Sequence, residues 1–195
     1  MQDTSRLFIA IELTSVIHQN LASLINGINL NSQNFIKWVK PENIHLTLKF
    51  LGEISKGNTT SITNTLTQAV IGIPPFRLSV HGIGCFPSQG QPRVFWAGID
   101  IPDTLIHLHR SIDRLFTQQG IPAENRVFAP HLTLARISET ADPVLVQDAF
   151  KKLMLSQEKA LGSLDVTHIT LFQSTLAKGG SIYTPLARIL FNLSS

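Results

Sequence analysis

The sequence has one cysteine, Cys85, so no internal disulfide is possible and a reducing cytoplasm is the expected setting. Cys85 sits in the apolar run Ile83-Gly84-Cys85-Phe86 and reads as a small core residue, not a nucleophile. No apolar stretch approaches the ~20 residues that a membrane helix requires, so no membrane partner is expected. The apolar run at residues 7–11 is too short for the core of a signal peptide. Charge is sparse at 15% of residues, and the net charge is only +3. No dense Lys/Arg run marks a sequence-independent nucleic-acid binder. There is no GxxxxGK[ST] loop to cradle a nucleoside triphosphate, so no nucleotide cofactor is implied.

What remains is a 195-residue chain, 43% hydrophobic, which is enough to bury one sizeable core. Residues 6–13 (RLFIAIEL) read as a buried strand. A helix capped by Thr14 or Ser15 runs to about Gly27, and a polar turn covers Asn29 to Asn34. Residues 36–39 form a short strand ended by Pro41. Residues 44–51 (IHLTLKFL) alternate with period two, with His45, Thr47 and Lys49 on one face and Leu46, Leu48 and Phe50 on the other. A helix over about 58–70, capped from Ser55, precedes strands at 76–83 and 93–101. An amphipathic helix over 105–119 is closed by Gly120. A strand at 128–137 (FAPHLTLARI) and a helix at 143–154 follow. Late strands at 164–172 and 182–191 flank a Lys178-Gly179-Gly180 turn.

The informative feature is a repeat. HLTLKFL at 45–51 and HLTLARI at 131–137 open with the same four residues, 86 positions apart, and each lies among similar elements. No linker or low-complexity segment separates the halves. The expectation is one bilobal α/β domain over 1–195, built by duplication, with the two lobes facing each other.

His-x-Thr on a strand projects an imidazole and a hydroxyl from one face. Imidazole exchanges protons near neutral pH, and a hydroxyl donates to an anionic oxygen. Two facing copies suit in-line displacement at phosphorus without a metal. One neutral His takes a proton from water, the other, protonated, donates to the leaving oxygen, and the threonines hold the non-bridging oxygens. A lone His-x-Thr carries little weight, and a solvent-facing pair is its plain alternative. Zinc sites favour three or four ligands at short spacing. Here Thr stands two along from each His, and His107 and His109, at i and i+2 of a helix, do not share a face, so no metal site is expected. His18, His81 and His168 read as isolated surface or satisfied histidines.

With RLFIAIEL, HLTLKFLG, FP…PRVFWAG, PHLTLAR and Leu171-Phe172-Gln173-Ser174 in view, the chain resembles the 2H phosphoesterase superfamily. Within it, the chain is similar to the bacterial and archaeal RNA 2′,3′-cyclic phosphodiesterases, also called 2′-5′ RNA ligases. The resemblance implies a pseudo-symmetric α/β (α+β) fold whose two antiparallel sheets line a central cleft, with helices outside. It implies metal-independent hydrolysis of RNA or nucleotide 2′,3′-cyclic phosphate ends to 2′-phosphates. His45 would be the proton donor to the leaving 3′ oxygen, His131 the proton acceptor from water, and Thr47 and Thr133 the phosphate ligands. It also implies a phosphate contact from Arg136, although strict alternation puts Arg136 on the face opposite His131, so the strand must bend or end there. Lys49, on the His45 face, would add positive charge. Phe8 is a candidate for stacking on a base, with a core position as the competing reading. No cofactor is implied, and a monomer is expected because the duplication supplies both halves of the site. Reversal would join RNA ends through a 2′-5′ linkage. A non-catalytic RNA-end binding module, and a phosphodiesterase for a small cyclic nucleotide or ADP-ribose cyclic phosphate, remain as alternatives.

Overall fold

The computed structural model describes residues 4–28, 35–124, 127–178 and 180–191. The polar turn Asn29 to Asn34 and Gly179 lie outside them. Along the chain run β1 (Thr4–Ile11), α1 (Ser15–Asn26), β2 (Ile36–Trp38), β3 (Leu46–Ser55), α2 (Thr59–Ala69), β4 (Phe76–Phe86), β5 (Val94–Ile99), α3 (Asp103–Gln118), β6 (Leu132–Ile137), α4 (Pro143–Met154), β7 (Gly162–Val166), β8 (His168–Ala177) and β9 (Gly180–Leu190).

Local chemistry starts the helices where the sequence suggests. The Thr14 hydroxyl accepts from the Ile17 amide at 3.3 Å, and Asp142 accepts from the Val144 amide at 2.8 Å with Pro143 in the first turn. Helix α2 differs from expectation: Ser55 does not cap it, and a tight turn at Lys56–Asn58 leads into it. Each helix buries one stripe, for example Leu105, Leu108, Ile112 and Phe116 on α3.

The strands form one antiparallel sheet ordered β7-β4-β5-β6-β3-β1-β8-β9, with β2 also pairing β6. The expected antiparallel halves are β7-β4-β5-β6 and β3-β1-β8-β9, which join where β6 meets β3. The sheet is strongly curled, and connectivity requires it. The stretch expected as one strand at 164–172 is two strands, broken at Thr167: β7 pairs β4 at one edge, and β8 pairs β1 near the other. On a flat sheet six strand steps would separate them by roughly 29 Å. Thr167 alone spans the gap, two steps of about 3.8 Å. Phe76 at the start of β4 and Phe191 just after β9 stack at 6.0 Å where the ends approach.

The helices cover one face of the sheet and exchange sides. Helix α1, from the first half, packs on β7, and α3, from the second half, packs beneath β3. Leu7, Ile9 and Ile11 of β1, Leu46 and Leu48 of β3, and Leu132 and Leu134 of β6 share a single core with these helices, and Cys85 packs against it. The opposite face carries the two His-x-Thr motifs.

Candidate active site

Strands β3 and β6 touch at one residue pair, Leu46 opposite Leu132. Both leucines point into the core, so the residues flanking them point to the open face. The antiparallel register sets His45 against Thr133 and Thr47 against His131. The two motifs thus meet as a quartet about a pseudo-twofold axis, with acid–base groups and hydroxyls on alternating corners. Neither threonine hydroxyl has a protein partner among the described residues.

Both imidazoles are oriented in the same way. His45 Nδ1 lies 2.8 Å from the Asn43 carbonyl, and His131 Nδ1 lies 2.7 Å from the Ala129 carbonyl, two residues back in each case. A carbonyl only accepts, so each Nδ1 carries the proton and donates it. Neither Nε2 has a hydrogen-bond partner among the described residues, so each is available as an acceptor in the neutral ring and a donor in the charged one. The chain before His45 is itself tied down. His18 Nε2 donates to the Ile44 carbonyl at 3.1 Å, and Asn43 donates to the Ser181 carbonyl at 3.0 Å.

A bulge then reorders the faces of both strands. In β3, Thr47 pairs Ala10 and Lys49 pairs Ile9, so Leu48 is an extra residue. In β6, Thr133 pairs Trp96 and Ala135 pairs Phe95, so Leu134 is extra. Each bulge turns two successive residues toward the core and inverts the alternation beyond it. Lys49 is therefore not on the His45 face. It is 1% exposed, inside the core, and donates to Asp113 Oδ1 at 2.6 Å and to the Pro122 carbonyl at 3.0 Å. Arg136, which strict alternation put on the far face, instead shares the open face with His131 and Thr133; it is exposed, with no partner among the described residues. The residue at the matching place in the first motif is Phe50, 59% exposed and likewise on the open face.

Beneath the histidines lies an aromatic bed. Phe8 stacks on His45 with centroids 4.8 Å apart, and Phe172 (5.3 Å) and Tyr183 (5.0 Å) pack around Phe8. Phe8 is 2% exposed, a buried residue in an aromatic group set apart from the main cluster. Its ring supports His45 and is covered by its neighbours, which agrees with the core position and leaves no open face for a base. Phe86 meets His131 edge-on at 5.0 Å and packs on Trp96. The indole lies where any larger residue at Gly84 would put a Cβ, 2.0 Å from the ring. Burial pushes the His45 imidazole below the ordinary histidine value, against the opposing effect of the Asn43 carbonyl.

Phe50, Phe86, Trp96, Phe172 and Tyr183 escape a strand-by-strand reading. The 86-residue offset relates position 50 to 136, a signal available in the sequence once both strands are given the same bulge.

The family described as LigT like Phosphoesterase matches residues 11–96 and again 99–183, with one HLTL segment in each. An RNA 2′,3′-cyclic phosphodiesterase of Methanothermobacter thermautotrophicus is 32% identical over 93% of this chain and 96% of its own. One of Escherichia coli is 31% identical over 96% and 97%. The crystal structure of E. coli LigT complexed with 3′-AMP superposes with a TM-score of 0.78 at 29% identity, covering 96% of this chain and 98% of that one.

Proposed function

The chain belongs to the LigT-like phosphoesterase family, and from that premise we propose that it opens 2′,3′-cyclic phosphates at RNA or nucleotide ends by acid–base catalysis at His45 and His131. The observation that carries this reading is the quartet, in which two imidazoles with free Nε2 atoms alternate with two unpartnered hydroxyls. The relatives named as RNA 2′,3′-cyclic phosphodiesterases supply the substrate class.

In the proposed reaction His131 Nε2 accepts a proton from water as the water oxygen bonds to phosphorus. The P–O3′ bond breaks in line, and His45 Nε2–H protonates the leaving oxygen, giving a 2′-phosphate and a 3′-hydroxyl. Thr47 and Thr133 donate to the non-bridging oxygens, and the Arg136 guanidinium adds positive charge as negative charge builds there. Burial works against a charged His45, and the phosphodiester anion beside it works the other way, since an adjacent negative charge favours imidazolium. No step calls for a metal. With a 5′-hydroxyl in place of water, the same displacement forms a 2′-5′ linkage. Both motifs come from one chain, so a monomer holds the whole site.

The test is product identity. A nucleoside 2′,3′-cyclic phosphate, digested in excess EDTA and followed by ³¹P NMR, is expected to give the 2′-monophosphate alone. A 3′-phosphate, or no turnover on mono- and oligonucleotides alike, overturns the reading.

A further inference from the structure

Beyond the quartet, β3 and β6 diverge and β2 enters the fork, pairing Lys37 directly with Arg136. Ile36 is buried in the core and Trp38 packs against it, so Lys37 points to the open face beside Arg136. Two cations directly opposite on neighbouring strands repel. Some cations of the chain are matched, Arg188 by Glu12, Arg77 by Asp165 and Lys49 by Asp113, and among the described residues no such carboxylate is paired with these two. Lys37 and Arg136 are both exposed, and neither has a hydrogen-bond or ion-pair partner among the described residues. Two adjacent cations without a carboxylate between them attract an anion.

We propose that Lys37, beside Arg136 and outside the quartet, binds the phosphate on the 5′ side of the terminal nucleotide, so that the enzyme selects ends carrying that phosphate over bare 2′,3′-cyclic nucleosides. This rests on the function proposed above. The phosphate nearest the reacting ring is the one on O5′ of the same ribose. Arg136 lies roughly two pleat steps, about 6–7 Å, from Thr133 along β6. Lys37 sits across from Arg136, outside the quartet, and among the described residues makes no hydrogen bond or ion pair with any of its four members.

The test compares three substrates: a nucleoside 2′,3′-cyclic phosphate with a free 5′-hydroxyl, the same compound with a 5′-monophosphate, and a dinucleotide ending in the cyclic phosphate. Wild type is expected to show kcat/KM about tenfold higher on the second and third than on the first. Lys37→Ala should bring those two down to the level of the first and leave the first unchanged, and Lys37→Arg should retain the preference. The dependence of log kcat/KM on log salt for the dinucleotide should flatten by about 0.7, one phosphate contact on a single strand. The melting temperature should not fall, since a repulsion has been removed. A greater gain on the dinucleotide identifies an RNA linkage as the ligand; a greater gain on the 5′-monophosphate identifies a free nucleotide. Equal losses on all three substrates, or none on any, overturn the proposal, as does a wild type indifferent to the 5′ phosphate. A wild type that cleaves none of the three instead defeats the proposed function itself.

Discussion

Replacing Asp113 with alanine tests whether the buried cation beneath the first motif depends on its one charged partner. Lys49 is 1% exposed, and its ammonium is bonded to Asp113 Oδ1 at 2.6 Å and to the Pro122 carbonyl at 3.0 Å. Removing one member of a buried pair strands the other charge, at a cost of about 3–5 kcal/mol. The Asp113 side chain is 26% exposed, so water can follow into the vacated space, and the expected loss for Asp113→Ala is about 2–3 kcal/mol. For a chain of this size that lowers the melting temperature by roughly 5–10 °C. Urea titration and thermal melts provide the measurement. The double variant Lys49→Met/Asp113→Ala buries no charge and should recover most of the loss, leaving about 1 kcal/mol for the Pro122 carbonyl it orphans. A loss below about 0.5 kcal/mol in the single variant, or a double variant no more stable than the single one, would refute the reasoning.

Gly84→Ala should cost about 1–3 kcal/mol by overpacking, because its Cβ would lie 2.0 Å from the Trp96 ring. It should also lower kcat, since Trp96 pairs with Thr133 and supports Phe86 beneath His131; melts and steady-state kinetics on one preparation check both. Burial lowers the His45 value, and that of His109 stacked on Phe128, below the ordinary 6.5. The unfolded chain therefore takes up these protons first, and stability is full above pH 6.5 and declines as pH falls through it. Urea midpoints at pH 7.5 and 5 should show the decline, and His45→Gln should flatten part of it. In pH–rate profiles the alkaline limb of kcat should lie at higher pH than that of kcat/KM, because bound phosphate raises the value of the His45 acid; coincident limbs would count against His45 as donor.

Much of the site is legible in the sequence because it is written in local patterns. The two HLTL segments expose their own alternation, and the duplication shows in their spacing and surroundings. What is not legible depends on partners. Whether Leu48 and Leu134 become bulged is decided by β1 and β5, which supply one residue where β3 and β6 supply two. The faces of Lys49, Phe50 and Arg136 all follow from that. Nothing around Lys49 announces Asp113, 64 residues away on a helix from the other half. The apolar stretch at 164–172 gives no sign that Thr167 carries the chain from one edge of the sheet toward the other. The carbonyls that set both histidine tautomers belong to Asn43 and Ala129, whose side chains play no part in the contact.

The most direct test of the two-histidine mechanism is the rate of 2′,3′-cyclic phosphate hydrolysis in excess EDTA for wild type, His45→Ala and His131→Ala. Full wild-type activity with chelator present, and a loss of about a hundredfold or more in each variant, is the expected result. A rate abolished by EDTA and restored by a metal ion, or a variant that keeps wild-type activity, would contradict it.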